Sequence, residues 1–189
     1  VEATFDAFKQ NKERILNNLF GTNLPQNCNE RIALYSMAYQ GTLSGKRRDA
    51  LIAALSLSNS KDAHAEAWYV IRYMRPKEAW RGYMESALFG LYENSNNVQL
   101  EDAQAAYKMF TRNKKTVIDY DTKNQAELTS ANQKIQQSGM GEIYRVQTIT
   151  ESLNPAKTSL LSDLRFRYSE YANNLQDDSI KAVNIYLNP

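Results

Sequence analysis

From Trp80 onward the chain places Trp80, Tyr83, Met84, Ala87, Leu88 and Leu91 at offsets of 3, 4, 7, 8 and 11 from the first. A helix turning every 3.6 residues puts those six side chains on one stripe and leaves the charges to the other face. Spacing of this kind recurs along the chain, and it excludes the alternation with period two that a half-buried strand needs. Composition agrees, with only seven glycines and four prolines in 189 residues and an abundance of good helix formers. The expectation is an all-α fold: a single helical domain over residues 1–189, built as a bundle of roughly eight or nine helices. At 42% hydrophobic residues, such a chain can bury a core without a disulfide or a structural metal.

Phe5, Phe8, Ile15, Leu16, Leu19 and Phe20 predict a first helix ending at Gly21. Asn27, with Glu30 three residues on, starts a second that carries Cys28, Ile32, Tyr35, Met37 and Tyr39. Residues 46–57 read as a third, with Leu51, Ile52 and Leu55 inward, and "SNSKD" caps a fourth running to Met74 through Ala67, Trp68 and Ile71. Pro76 suits the first turn of the next helix and pushes Arg75 towards extended geometry. Leu100, Ala103, Tyr107 and Phe110 define another helix. In residues 111–137, "TVIDYD" fits a strand or a helical turn, and "TKNQAELTSANQKIQQ" fits a helix poor in apolar residues. "SGMG" interrupts that stretch, with Gly139 or Gly141 expected at positive φ. Ile143, Val146, Ile149 and Leu153 mark a helix stopped by Asn154 and Pro155, and Leu160, Leu161, Leu164, Tyr168, Tyr171 and Leu175 mark a long one. "SIKAVNIYL" forms a last short turn. Within the domain, residues 1–110 read as compact short helices and 111–189 as more elongated ones.

Candidate chemistry is sparse. Cys28 is the sole cysteine, so no intrachain disulfide or thiolate zinc cluster can form, and a small buried apolar role is expected. His64 is the sole histidine; Asp62, His64 and Glu66 alternate, which on a helix turns the ring away from both acids, so a surface histidine rather than a metal ligand is expected. Carboxylates pair at Glu101 with Asp102, Asp119 with Asp121, and Asp177 with Asp178, of which the first pair suits a helix start. "SGMGE" lacks the lysine and spacing of a phosphate loop. No catalytic residue, cofactor or metal site is expected.

The stretch "RYMRPKEAWRGYM", residues 72–84, uses the vocabulary of nucleic-acid binding. The candidate contacts for a nucleic acid or another anion are Lys46, Arg47, Arg48, Arg72, Arg75, Lys77, Arg81, Arg112, Lys114 and Lys115, most near helix ends, with twelve tyrosines in the chain as stacking surfaces. A net charge of only +2, evenly spread, argues against a protein living mainly on phosphate contacts. Trp80 is expected in the core, so that truncation to alanine costs about 3 to 5 kcal/mol. Arg72, Arg75 and Lys77 are expected around an exposed joint, where Arg75→Ala or Lys77→Ala costs within about 0.5 kcal/mol.

The functional expectation is a non-enzymatic helical protein acting through protein–protein interaction, as an assembly or accessory subunit, through its own copies or another chain. The alternative is a nucleic-acid-binding or coat subunit using the basic helix ends. Apolar runs are too short to span a bilayer. An exported mature chain and an excised cytosolic domain both fit the start at Val1.

Overall fold

Local signals set where the helices begin, and tertiary burial decides how far they run. The computed structural model describes residues 2–26, 28–75, 77–139, 141, 145–167, 181 and 182. In chain order the helices are α1 (Glu2–Phe20), α2 (Cys28–Tyr39), α3 (Gly45–Leu55), α4 (Ser60–Tyr73), α5 (Ala79–Phe89), α6 (Leu100–Lys123), α7 (Gln125–Gln137) and α8 (Ile149–Arg167), with a 3-10 turn at Gly21–Asn23. No strand occurs among the described residues, and the architecture is a multi-helix bundle with longer helices towards the C-terminus. The side chains of Phe5, Phe8 and Cys28 lie outside what is described, as do Tyr168, Tyr171, Leu175 and most of "SIKAVNIYL". Among the described residues no helix is long and apolar enough to cross a membrane.

Asn59 caps α4, its Oδ1 accepting from the amides of Lys61 and Asp62 at 2.9 and 3.0 Å. Gln99 and Asp102 form a capping box at α6. From there α6 runs without a break through "TVIDYD", so the strand alternative is excluded. Its polar sequence is held by Val117, fully buried, and by Tyr120, which packs against both core clusters. The predicted break after α7 is present, with Gly139 at φ 77, a left-handed conformation that glycine adopts without steric cost.

Two expectations about the next segment fail. Residues 145–148 are not helical. Asn132 of α7 donates to Val146 O at 3.0 Å and accepts from Val146 N at 2.8 Å, so one amide side chain satisfies the backbone of an extended segment and draws Val146 into the core. Helix α8 starts at Ile149 behind a capping box, in which Glu151 accepts from Thr148 N and Thr148 Oγ1 accepts from Glu151 N. Pro155 then sits inside α8 instead of ending it. Leu153 and Ala156, both buried on either side of it, hold the helix together across the lost hydrogen bond.

Helix α4 is central and packs on α3, α5 and α6; α8 lies on α6, α2 lies on α5 and α1, and α7 lies on α5. The main core gathers residues from α1 to α6 and α8, among them Leu16, Leu34, Leu51, Trp68, Ile71 and Met109. A second, smaller core consists of Ala79, Tyr83, Ala131, Ile135 and Val146, where α5 meets α7. The predicted stripe is divided between them: Leu91, beyond the end of α5, belongs to the main core and Tyr83 to the second, with Trp80, Met84 and Ala87 only partly buried beside the latter.

Candidate binding cleft

The end of α4 and the start of α5 are held together by charges that are not on the surface. Arg72 and Arg75 are 1% and 5% exposed, which corrects the expectation of an exposed joint for these two, whereas Lys77 is exposed as expected; Arg47 is also buried, at 6%. Pro76 itself lies outside the described residues. Desolvating a guanidinium is costly, so each must find acceptors. Glu85, on the buried face of α5, accepts from Arg75 Nη1 at 3.0 Å and Arg47 Nη2 at 3.4 Å on one oxygen, and from Ser36 Oγ at 3.3 Å on the other. Arg75 also donates to Lys77 O at 3.1 Å and Gln40 Oε1 at 3.3 Å. Arg72 donates to Gln147 O at 2.8 Å and stands 3.8 Å from Asp121. Its guanidinium lies 4.6 Å from the Tyr83 ring centre and 5.1 Å from that of Trp68. Tyr73 and Tyr83 both donate to Asp121, at 3.2 and 2.9 Å.

Close approach of α4 and α5 makes this possible. A Cβ on Gly82 would meet Arg72 O at 3.0 Å and Ile71 O at 3.3 Å, so the "RGY" glycine lets the two backbones touch. Burial pushes the Tyr73 and Tyr83 phenols up, with Asp121 adding to the effect for Tyr83. It also raises Glu85 against the pull of Arg75 and Arg47, and lowers Arg47 against the pull of Glu85.

Beside this cluster opens a cleft of about 770 Å³, bounded by the α2–α3 loop, the α4–α5 joint and the α6–α7 joint. Tyr73, Met74, Ala79 and Tyr120 supply its apolar surface, while Lys46, Arg47, Arg75, Lys77 and Lys123 supply cations against Glu78 and Glu127. Lys46, Lys77 and Lys123 are exposed and have no acid partner among the described residues. Glu78 takes φ 53, the sole non-glycine residue at positive φ among those described, and its carboxylate reaches Arg75 at 3.3 Å and Arg81 at 3.5 Å.

Four of the ten candidate cations, Lys46, Arg47, Arg75 and Lys77, therefore line one cleft, whereas Arg72 is buried and lines a second cavity with Trp68 and Gln147. The remainder are engaged elsewhere. Arg48 pairs with Asp49 at 2.7 Å, Lys115 with Asp119 at 2.6 Å, and Arg112 with Glu66. Arg81 and Lys134 flank the Trp80 ring, each 4.6 Å from its centre, and Lys114 lies 5.7 Å from Phe110. Lys123, at the end of α6, is the cleft residue that sequence reasoning missed; only a helix continuous from 100 to 123 brings it there.

His64 is buried, not a surface residue. Its Nε2 lies 2.9 Å from Gly90 O and its Nδ1 3.7 Å from Glu30, with the ring against Phe89. Asp62 and Glu66 turn away from it as the spacing requires, towards Lys108 and Arg112. Burial lowers the His64 pKa, and burial with Glu93 nearby pushes Glu30 up to about 7. Asp102 caps α6 and meets Lys61 at 3.0 Å, a structural use of that acid; Asp177 and Asp178 lie outside the described residues. Among the described residues no three His, Cys, Asp or Glu side chains converge as metal ligands would. Comparison with protein-family models, with curated proteins and with solved structures gives no match.

Proposed function

We propose that this is a non-enzymatic binding protein, an accessory or assembly subunit that holds an acidic segment of another protein chain in the cleft between the α2–α3, α4–α5 and α6–α7 joints. One observation carries the reading: Lys46, Lys77 and Lys123 stand exposed and without acid partners around an apolar floor, whereas most other surface cations of the candidate set are paired. A rim of unpaired charge over tyrosine, methionine and alanine suits a partner with carboxylates flanking an apolar anchor. An extended polyanion fits less well. Its binding would draw on many surface cations at once, and Arg48, Arg112 and Lys115 are already neutralised by acids on this chain.

The test is fluorescence anisotropy with a labelled peptide of mixed glutamate and leucine, against the wild type and the triple reversal Lys46→Glu, Lys77→Glu, Lys123→Glu. Three rim charges at about 0.2 to 1 kcal/mol each predict a loss of roughly 3- to 100-fold in affinity. A labelled single-stranded oligonucleotide run in parallel is expected to bind weakly. Tight oligonucleotide binding that falls steeply with added salt, with no measurable peptide binding, sinks the proposal in favour of a nucleic-acid role.

A further inference from the structure

The cluster beside the cleft joins four guanidinium groups, Arg47, Arg72, Arg75 and Arg81, to three carboxylates, Glu85, Asp121 and Glu78, the last 53% exposed and shared by Arg75 and Arg81. One positive charge is left over. It falls at Arg47: Arg75 is bound by Glu85, Glu78 and two further oxygens, whereas Arg47 shares Glu85 at 3.4 Å and Ile71 O at 2.8 Å through Nη2 alone. Its Nε and Nη1 are buried and have no hydrogen-bond acceptor. An arginine 94% buried, with the three N–H groups of Nε and Nη1 left without acceptors and its side chain lining a cleft, asks for an anion. Shielding from bulk water leaves its charge poorly screened towards anything that enters.

Arg47 is also the third residue of α3, and the start of that helix is open. Ser44 stands at the N-cap with extended backbone, yet its side chain accepts from no amide of the first turn. Gly45 is at φ 55 and the following residues are helical, a left-to-right-handed succession that turns successive N–H groups to one side. The positive end of an eleven-residue helix, the Ser44 hydroxyl, Lys46 and Arg47 thus meet at one cleft, which Lys77 also lines.

We propose that this meeting point is a phosphate subsite, and that the acidic segment held in the cleft is anchored there by a phosphorylated serine or threonine; the inference rests on the protein-binding reading above. A phosphomonoester brings nearly two negative charges and three acceptor oxygens, enough to offset the surplus at Arg47 and to engage the amides and Lys46 together. A single carboxylate brings one charge and two oxygens.

Two measurements test it. In a titration of ¹⁵N-labelled protein with inorganic phosphate, the amides of Gly45, Lys46 and Arg47 should shift most. In anisotropy, a peptide with one phosphoserine should bind at least 10-fold more tightly than the same peptide with glutamate there. Arg47→Met, which removes the surplus charge while leaving Arg75 on Glu85, should weaken the phosphoserine peptide more than the glutamate one and so bring the two towards parity. Lys46→Ala, at an exposed site, should narrow the gap and covers the case in which Arg47→Met does not fold. Equal binding of the two peptides to the wild type overturns the phosphate subsite and leaves the acidic-segment reading standing. A preference undiminished in Lys46→Ala and in any folded Arg47→Met, or phosphate-induced shifts centred away from α3, also overturns the subsite. If neither peptide binds while phosphate still shifts the three amides, the protein-partner reading is overturned and with it the phosphorylated anchor.

Discussion

At the scale of single residues, burial reverses the order of importance that residue type suggests. Trp80 is the large aromatic and Arg75 the polar side chain beside a proline, but Trp80 is partly exposed between Arg81 and Lys134 while Arg75 is 5% exposed. Removing Arg75 leaves Glu85 buried with the longer ion pair to Arg47 and the Ser36 hydroxyl, so Arg75→Ala is expected to cost about 3 to 5 kcal/mol. Trp68, 2% exposed in the main core, should cost a similar amount, about 3 to 5 kcal/mol, on truncation to alanine. Trp80→Ala should cost less, about 1 to 2 kcal/mol, because part of the ring stays in water. Urea denaturation of the three variants ranks them, and an Arg75→Ala protein as stable as wild type means the cluster contributes nothing to folding. None of this is legible in residues 72–84 alone. The acids that draw the arginines inward, Glu85 and Asp121, sit on α5 and α6, and a sequence does not show which helix will lie opposite.

At the scale of elements, local signals were readable wherever a side chain acts on its own helix. The polar lead-in to α4 and the glycine after α7 follow from turn chemistry, and both are present; the spacing on α5 marks a helix but not its buried face, which is Ala79, Gly82, Tyr83, Glu85, Ser86 and Phe89, with Trp80, Met84, Ala87 and Leu88 only partly buried. Legibility ended where tertiary contacts override propensity. "TVIDYD" is helical because Val117 and Tyr120 reach the core, and α8 passes through Pro155 because Leu153 and Ala156 are buried on either side. That continuation comes at the loss of one main-chain hydrogen bond, the one that residue 155 would donate one turn back. Pro155→Ala should therefore stabilise the protein, by about 1 to 2 kcal/mol after allowing for the greater freedom of the unfolded alanine chain. A higher urea midpoint with unchanged slope is the expected result; a lower midpoint means the pyrrolidine ring contributes more by packing than the missing bond costs.

At the scale of the whole molecule, the cleft lies at a boundary between unequal parts. Helix α4 packs on three helices and supplies Trp68, Val70, Ile71 and Arg72 to the interior. Helix α7 packs chiefly on α5 and buries only Ala131 and Ile135 of its own residues. Fewer buried apolar contacts mean a smaller free energy for local opening, so α7 should open without the rest of the chain following. Native-state hydrogen exchange tests this directly: amides from Leu128 to Gln137 should exchange on the order of ten-fold or more faster than those from Trp68 to Tyr73, a gap of at least about 1.4 kcal/mol in opening free energy. Equal protection in both segments would mean that the two cores open as one cooperative unit. The inequality bears on binding, because Asn124 and Glu127 carry the cleft onto the start of α7 while Lys46 and Lys77 stand on the better-anchored side. A ligand that spans both sides binds the closed form in preference to the opened one, and so must slow exchange in α7 as its concentration rises. A ligand seated on α3 alone leaves that rate unchanged, so the same amides report how far across the cleft the occupant extends.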